Sequence, residues 1–516
     1  MKKVSVSSKR MKVLIVTPEI TYVPQGMGNI ALNLSAKAGG LGDVSASLVS
    51  ALFERGADVH IALPHYRRMF HAEITDLMDA KLKQYFEALR GDAEPRIHLA
   101  EDRTFYYRES VYSKSSEDSL KMSLTFQREV INHIIPELNP DLIHCNDWMT
   151  GLIPSFARRA GIPALFTVHN IHTQKTTLEQ IENYGIDTAM FWQELYFERQ
   201  PYNYEETRSG NAVDLLTSGI FGAHFINTVS PTFLKEIVER RHGFVPSQIQ
   251  EQMANKYYAG CAVGILNAPD PDYTPEHDRY LVEKYSEENY ASAKRQNKLA
   301  LQEALGLKVD PEAPLFFWPS RLDPIQKGPQ LLTDILYNVI HDYWDTGLQL
   351  AVVADGTYQQ YFVDIMRQHG FYDRMAVHRF DERLSHLAYA GSDFLLMPSR
   401  FEPCGLPQMI GQLYGTLPLV HDTGGLHDTV EHLDAAAGTG NGFVFRFYDS
   451  QGLRWAVDEA MRFHRQPESV RRDNLVRIMI DAKDRFNHDV TANSYIRLYE
   501  QMLQRPLIPD AAKQQE

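Results

Sequence analysis

Cysteine is scarce: Cys145, Cys261 and Cys404 are the three in a chain of 516 residues. They are odd in number, lie far apart and match no zinc-ligand spacing. Neither a disulfide framework nor a metal site is expected, and the set suits a reducing cytoplasm. Long apolar runs are missing too. No stretch is long enough to span a bilayer, and the basic opening MKKVSVSSKR is not followed by an apolar region of signal type. Basic residues are outnumbered, 52 against 66 acidic ones, for a formal charge of −14. That balance argues against bulk nucleic-acid binding, while a local basic cleft can still hold phosphate. The sequence has no repeat of fixed period and no low-complexity tract. The expectation is a soluble cytoplasmic protein with no nucleic acid and no membrane among its partners.

What is present describes a globular chain, with 44% hydrophobic and 23% charged residues. Its length exceeds one ordinary core, so two domains are expected. Lys12 to Thr17 (KVLIVT) reads as a buried parallel strand stopped by Pro18 and Glu19. A long uncharged loop leads to Lys37-Ala-Gly-Gly-Leu-Gly-Asp43, then a helical run from Val44 to Phe53 and a second strand, Ala57 to Leu63. This β–loop–α–β order opens a Rossmann-like domain. Further strands end at His144, Val168, Val229 and Leu266, with Asp147, His169, Ser230 and Asn267 at or just beyond their tips. Pro269, Pro271 and Pro275 make a stiff break, followed by a charged helical segment from Tyr280 to Leu305. Leu315–Trp318, Leu348–Val353, Met375–Val377 and Phe394–Met397 read as the strands of a second domain, with Phe443 to Phe447 a further strand or loop.

The stretch from Met397 to Thr429, MPSRFEPCGLPQMIGQLYGTLPLVHDTGGLHDT, is the most informative. A buried strand, a tight loop carrying Glu402, and a helical segment from Leu406 form the connection on which an open α/β sheet presents a site. A plain strand–turn–helix with a solvated glutamate has the same pattern. Lys37 and the glycines after it, Gly39 and Gly40, can close a backbone on a pyrophosphate or sugar, although neither dinucleotide nor P-loop spacing is met. Arg321 and Lys327 sit in one loop, PSRLDPIQKG, where two cations can clamp a diphosphate in place of a metal ion. His169 can donate to a sugar hydroxyl or phosphate. Cys404 has no partner spacing for a nucleophile and reads as a small residue beside a turn.

These motifs resemble a known family. Lys37-Ala-Gly-Gly-Leu-Gly-Asp-Val is similar to the Lys-Thr-Gly-Gly-Leu-Ala-Asp-Val signature of bacterial glycogen synthases and plant starch synthases. Ser399-Arg-Phe-Glu-Pro-Cys-Gly-Leu, Tyr414-Gly-Thr-Leu-Pro-Leu-Val and Thr423-Gly-Gly-Leu-His-Asp-Thr-Val follow that family almost letter for letter, and the resemblance runs from Met11 to Tyr499. It implies an α/β GT-B fold, two Rossmann-like domains facing across a cleft. The expected division is 11–275, joined by a C-terminal helix at 490–506, and 276–489 for the nucleotide-sugar domain. It also implies retaining transfer of glucose from ADP-glucose or UDP-glucose, ADP-glucose being favoured, to the non-reducing end of an α-1,4-glucan, with no cofactor and no metal. Carried over by motif, Arg321 and Lys327 would neutralise the leaving diphosphate, and Glu402 would hold or polarise the donor sugar. His169 would bond the transferred glucose, with Asp147 nearby. Lys37, Gly39 and Gly40 would meet the phosphates, and Asp43 would support that loop or the acceptor. The amides around Gly405 and Leu406, beside Cys404, would cap the diphosphate or sugar, and Asn267 would join the binding set.

Departures from the family pattern cluster around sugar and acceptor. Ile171-His-Thr-Gln-Lys follows His169-Asn, Ala268-Pro-Asp-Pro-Asp-Tyr follows Asn267, Asn146-Asp-Trp-Met replaces His-Asp-Trp-His, and Arg321 and Lys327 are spaced one residue wider. A related glycosyltransferase with another acceptor, and a non-catalytic glucan-binding homologue, are the alternative readings.

Overall fold

Short apolar runs whose two faces are both covered become the parallel strands of two sheets. The computed structural model describes residues 10–24, 26–27, 34–36, 40–70 and 95–508. Two compact units emerge. The first holds the chain up to Val229, Leu234–Ile265 and the residues from His488 onward; the second holds Ser230–Phe233 and Leu266–Asn487.

In the first unit the strands in chain order are β1 (Lys12–Val16), β2 (Asp58–Pro64), β3 (Ile97–Ala100), β4 (Leu142–Asn146) and β5 (Ala164–Val168). A small antiparallel pair follows, β6 (Lys175–Thr176) with β7 (Val213–Asp214), and then β8 (Phe225–Thr228) and β9 (Ala262–Gly264). The main sheet, in the order β3-β2-β1-β4-β5-β8-β9, is parallel throughout. β4 and β5 are buried along their whole length, as strands covered on both faces must be. Helix α1 (Gly40–Glu54) follows β1 and buries most of its length. The second unit carries helix α2 (Tyr290–Leu305), then β10 (Leu315–Trp318), α3 (Pro329–Asp342), β11 (Gln349–Val353), α4 (Gln359–His369), β12 (Met375–His378) and β13 (Phe394–Met397). α5 (Pro407–Leu413), β14 (Leu417–His421), α6 (Gly424–Thr429) and β15 (Phe443–Phe445) complete its sheet region. The parallel order is β12-β11-β10-β13-β14-β15. On neighbouring strands the rings of Phe316 and Phe394 lie 4.8 Å apart.

Both sheets reverse their strand order once, between β1 and β4 in the first unit and between β10 and β13 in the second. Such a reversal opens a crevice off the carboxyl ends of the strands, where open sheets hold ligands. The last helix, α7 (His488–Leu503), returns to the first unit. Asn227 Nδ2 donates to Tyr495 Oη at 3.0 Å and accepts at Oδ1 from the Thr167 hydroxyl at 2.6 Å. Thr167 Oγ1 in turn receives His144 Nε2–H at 2.6 Å, which leaves His144 Nδ1 to accept from Tyr499 at 2.7 Å. Burial pushes the His144 imidazole down to about 3, so the ring bridging sheet and helix is neutral.

Several boundaries differ from the sequence expectation. The helix expected from Tyr280 starts only at Tyr290, because the Asn297 side chain receives the Val282 amide at 3.0 Å and donates to Glu283 O at 2.7 Å. Residues 282 and 283 are thereby held against α2. Gly40, Leu41 and Gly42 form the first turn of α1 instead of a loop. β9 ends at Gly264, where a strand was expected to begin, because its partner β8 stops at Thr228. The possible strand at 443–447 is a strand only as far as Phe445. Among the described residues no helix is long and apolar enough to cross a membrane.

Candidate functional site

The switch point of the second sheet brings two loops together. After β10 the chain turns through Asp323, whose carbonyl accepts the Lys327 amide at 2.8 Å, and reaches Gly328 with a left-handed φ of 73°. After β13 the loop from Pro398 carries Glu402. The loops touch through backbone: Arg400 N–H donates to Gln326 O at 2.8 Å, and a Cβ on Gly328 would come within 2.2 Å of Pro398 O. This approach sets Lys327 Nζ 2.5 Å from Glu402 Oε2, and Ser399 Oγ donates to the same oxygen at 3.0 Å. The glutamate side chain is 6% exposed and the lysine 12%. Burying a carboxylate this deeply requires a cation and hydrogen bonds, and both are present. Arg321, exposed on the Lys327 loop, has no side-chain hydrogen bond or ion pair among the described residues.

The Glu402 loop is held from behind by glycines. Gly425 N–H donates to Glu402 O at 2.9 Å. A Cβ on Gly424, at φ 46°, would lie 2.0 Å from Glu402 O, and one on Gly425 would lie 2.0 Å from Cys404 O. The Thr423-Gly-Gly segment is therefore two glycines because two backbones meet there. Gln408 Nε2 donates to Cys404 O at 3.1 Å and Gly405 O at 2.9 Å. Across trans peptides the N–H opposes the carbonyl, so the Gly405 and Leu406 amides face away from Gln408. Cys404 is buried, accepts from the Asn267 amide, and burial pushes its thiol up to about 12, which leaves it a neutral packing group. Asn267 Oδ1 is buried and has no hydrogen-bond partner among the described residues.

The first unit gathers a different set at its own switch point. Asp147 follows β4 with φ 57° and ψ 178°, a backbone conformation nearly reserved for glycine. The turn aims its carboxylate back at the β5 loop, where Oδ1 accepts the His169 amide at 2.8 Å and Oδ2 accepts Asn170 Nδ2 at 2.9 Å. Burial raises the acid to about 7 against the opposing effect of the His169 and Asn170 backbone amides, and the Glu19 charge adds to the rise. Asn146 fixes the histidine: its Nδ2 donates to Val16 O at 3.2 Å, so its Oδ1 faces His169 Nε2 at 2.9 Å. Nε2 therefore carries the proton and Nδ1 is an acceptor. Burial lowers the ring to about 3 and keeps it neutral. With Nε2–H engaged by Asn146, the ring is not set to donate to a sugar or phosphate as expected, and its other nitrogen, Nδ1, can only accept.

Among the expected residues, Lys327 and Glu402 meet directly, with Cys404, Gly405, Leu406 and Asn267 on or against the same loop. Asp147 and His169 meet in the first unit, and Gly40 and Asp43 lie in the first turn of α1. Lys37 and Gly39 lie outside the described residues. Sequence reasoning missed Glu19 and Tyr112. Glu19 is 1% exposed just past β1, and the Tyr112 hydroxyl bonds to it; burial, then the Glu19 charge, holds that phenol above its usual range. Glu19 had a signal, an acid at a buried strand's end; Tyr112 had none. Ser399, the second anchor of Glu402, was visible only as a motif letter. Among the described residues no group of three or more His, Cys, Asp or Glu is placed to hold a metal.

Comparison with known proteins aligns with both clusters. Residues 12–249 match the starch synthase catalytic domain, and 307–473 match the glycosyl transferases group 1 family. The glycogen synthase of Moorella thermoacetica is 33% identical over 96% of this chain and 98% of its own, and that of Exiguobacterium sibiricum 33% over 84% and 90%. The catalytic domain of starch synthase IV from Arabidopsis thaliana, solved bound to ADP and acarbose, superposes with a TM-score of 0.74 at 25% identity, covering 96% of this chain and all of that one. Sucrose-phosphate synthase from Thermosynechococcus elongatus shares the fold at 17% identity and a TM-score of 0.56, over 96% of this chain and all of its own.

Proposed function

The chain belongs to the glycogen synthase and starch synthase family of hexosyltransferases, and on that premise we propose that it extends an α-1,4-glucan from ADP-glucose with retention of configuration. The observation that carries the reading is the buried Lys327–Glu402 pair at the switch point of the second sheet, beside an unpaired Arg321 on the Lys327 loop. A departing nucleoside diphosphate develops negative charge, and two cations on one loop, Lys327 held by Glu402 and Arg321 free to reach, stabilise it most when that charge appears. Glu402, pinned by Lys327 and Ser399, orients the glucosyl hydroxyls as a hydrogen-bond acceptor. The outward amides of Gly405 and Leu406 cap a diphosphate or sugar oxygen, and the orphaned Asn267 Oδ1 is an acceptor awaiting a hydroxyl or amine donor. In the first unit, neutral His169 accepts a glucose hydroxyl at Nδ1, and Asp147 holds the His169 backbone in place. Gly40 and Asp43 at the head of α1, with Lys37 and Gly39 before them, complete the phosphate and acceptor side. The scarce, unpaired cysteines support a cytoplasmic setting.

ADP-glucose and UDP-glucose, each with and without glycogen, form the test. Glycogen-dependent nucleotide release with growth of the glucan, faster with ADP-glucose, is the expected result. Faster release with UDP-glucose reverses the donor assignment. Transfer that needs some other acceptor replaces the glucan, and no transfer from either donor overturns the reading.

A further inference from the structure

At the far ends of α3 and α4 the second unit opens a pocket of about 700 Å3. Lys327 lies two residues before α3, whereas Tyr337 and His341 lie in its last two turns. A helix of this length is about 20 Å long, so the pocket stands well away from the Lys327–Glu402 pair.

Its walls are aromatic and its rim is polar. Tyr337 and Trp344 are 46% and 44% exposed, a large apolar area to leave in water, and buried Phe371 is the floor between them. The Tyr337 ring lies 4.6 Å from His369 and 6.2 Å from Phe371, inclined 28° to the latter. Trp344 is braced from within: the guanidinium of Arg374, a residue 7% exposed, sits 4.7 Å from the ring centre. The indole is thus held in place with an open edge and face. Asp345 and Gln368 stand at the rim with His341 and His369, supplying hydrogen-bond donors and acceptors around the aromatic surface.

That combination fits a sugar chain. The C–H-lined face of a pyranose is apolar, with its partial positive charge on hydrogens, and matches the negative face of an aromatic ring. Hydroxyls around the ring need paired donors and acceptors, which the rim provides. A nucleotide would also stack, but among the described residues no lysine or arginine lines this pocket, and Asp345 repels phosphate. We propose that the pocket is a glucan-binding site separate from the reacting residues, tethering a polymer chain to the second unit. The identity of the sugar as an α-glucan rests on the proposed activity.

The test uses the full chain with Trp344→Ala and Tyr337→Ala, singly and together. Retention in native gels cast with glycogen gives the affinity, and rates with glycogen and with maltoheptaose give catalysis. The double variant is expected to bind glycogen about tenfold more weakly, the effect of losing one to two stacked rings. Its kcat at saturating maltoheptaose and its KM for the nucleotide-glucose are expected to be unchanged. Should the alanine pair unfold, Asp345→Ala with Gln368→Ala, both exposed, replaces it with a smaller loss expected. Unchanged glycogen retention in folded variants overturns the site. So does quenching of Trp344 fluorescence by ADP but not by maltoheptaose, which would make it a nucleotide site. A wild-type protein retained through Trp344 that transfers no glucose leaves this site standing and removes the catalytic reading instead.

Discussion

Lys327 Nζ and Glu402 Oε2 are 2.5 Å apart, both side chains almost wholly enclosed. The lysine proposed to meet a diphosphate thus already neutralises a carboxylate, and Ser399 donates to the same oxygen. Lys327→Ala leaves the glutamate buried with only a hydroxyl, which costs about 3 kcal/mol or more in stability and lowers turnover roughly 30- to 1000-fold. Lys327→Met combined with Glu402→Gln should recover most of the stability and none of the turnover. Denaturant unfolding and steady-state kinetics on the singles and the double separate the two effects. Equal instability in the double and in Lys327→Ala would show that the pair is not the source.

Arg321 offers the opposite case. It is exposed and, among the described residues, its side chain has no hydrogen bond or ion pair to lose, so Arg321→Ala is expected to change stability by less than about 0.5 kcal/mol. Turnover should still fall roughly 30-fold or more, with Arg321→Lys a poor substitute for a planar fork. Normal turnover in Arg321→Ala would leave Lys327 to act alone.

Gly424→Ala tests the backing of the Glu402 loop. The new Cβ would sit 2.0 Å from Glu402 O, and φ 46° is strained for any L side chain. A loss of about 2–4 kcal/mol is expected with turnover reduced alongside, because the carboxylate shifts with its carbonyl. Thermal melts and kcat check this, and an unperturbed variant would mean that the two backbones are free to part.

Asp147 carries a pH signature. Burial raises it from 3.8 to about 7, with the Glu19 charge adding to the rise. Between about pH 4 and 7 the folded chain keeps a proton that the unfolded chain has lost, so this group's contribution to stability falls as pH rises through that window. Asp147→Asn removes the slope. Its loss of one of the two bonds from His169 and Asn170 is a constant offset. Relative to wild type, the variant should gain up to roughly 4 kcal/mol between pH 4 and 8, at about 1.36 kcal/mol per unit. Unfolding free energies at both pH values decide it, and a difference that does not change with pH would place the carboxyl in its ordinary range.

Much of this was legible beforehand. Leu315–Trp318 and Phe394–Met397 were readable as strands because both faces are buried and the apolar run is unbroken. Glu402 stood out as an acid just past such a strand. The segment from Tyr280 to Tyr290 did not, since its charged, helix-compatible composition says nothing of Asn297 capturing its amides. Tyr112 was equally silent, because its only mark is a hydroxyl bonded to a distant glutamate.

The sequence by itself determined what is local: the strand runs, the loops that follow them, and the residue types capable of holding charge or hydroxyls at their tips. Only the tertiary structure decided which of those loops meet. Lys327 and Glu402 are 75 residues apart and become partners because β10 and β13 are neighbours where the sheet order reverses. It also decided that His169 presents an acceptor, since the tautomer is set through space by Asn146, which is itself oriented by Val16 O. In the same way Tyr499 closes the far end of the chain onto His144. Backbone preference and hydrophobic pattern act over a few residues, whereas a hydrogen bond's direction and a buried charge's partner depend on whatever folding brings alongside.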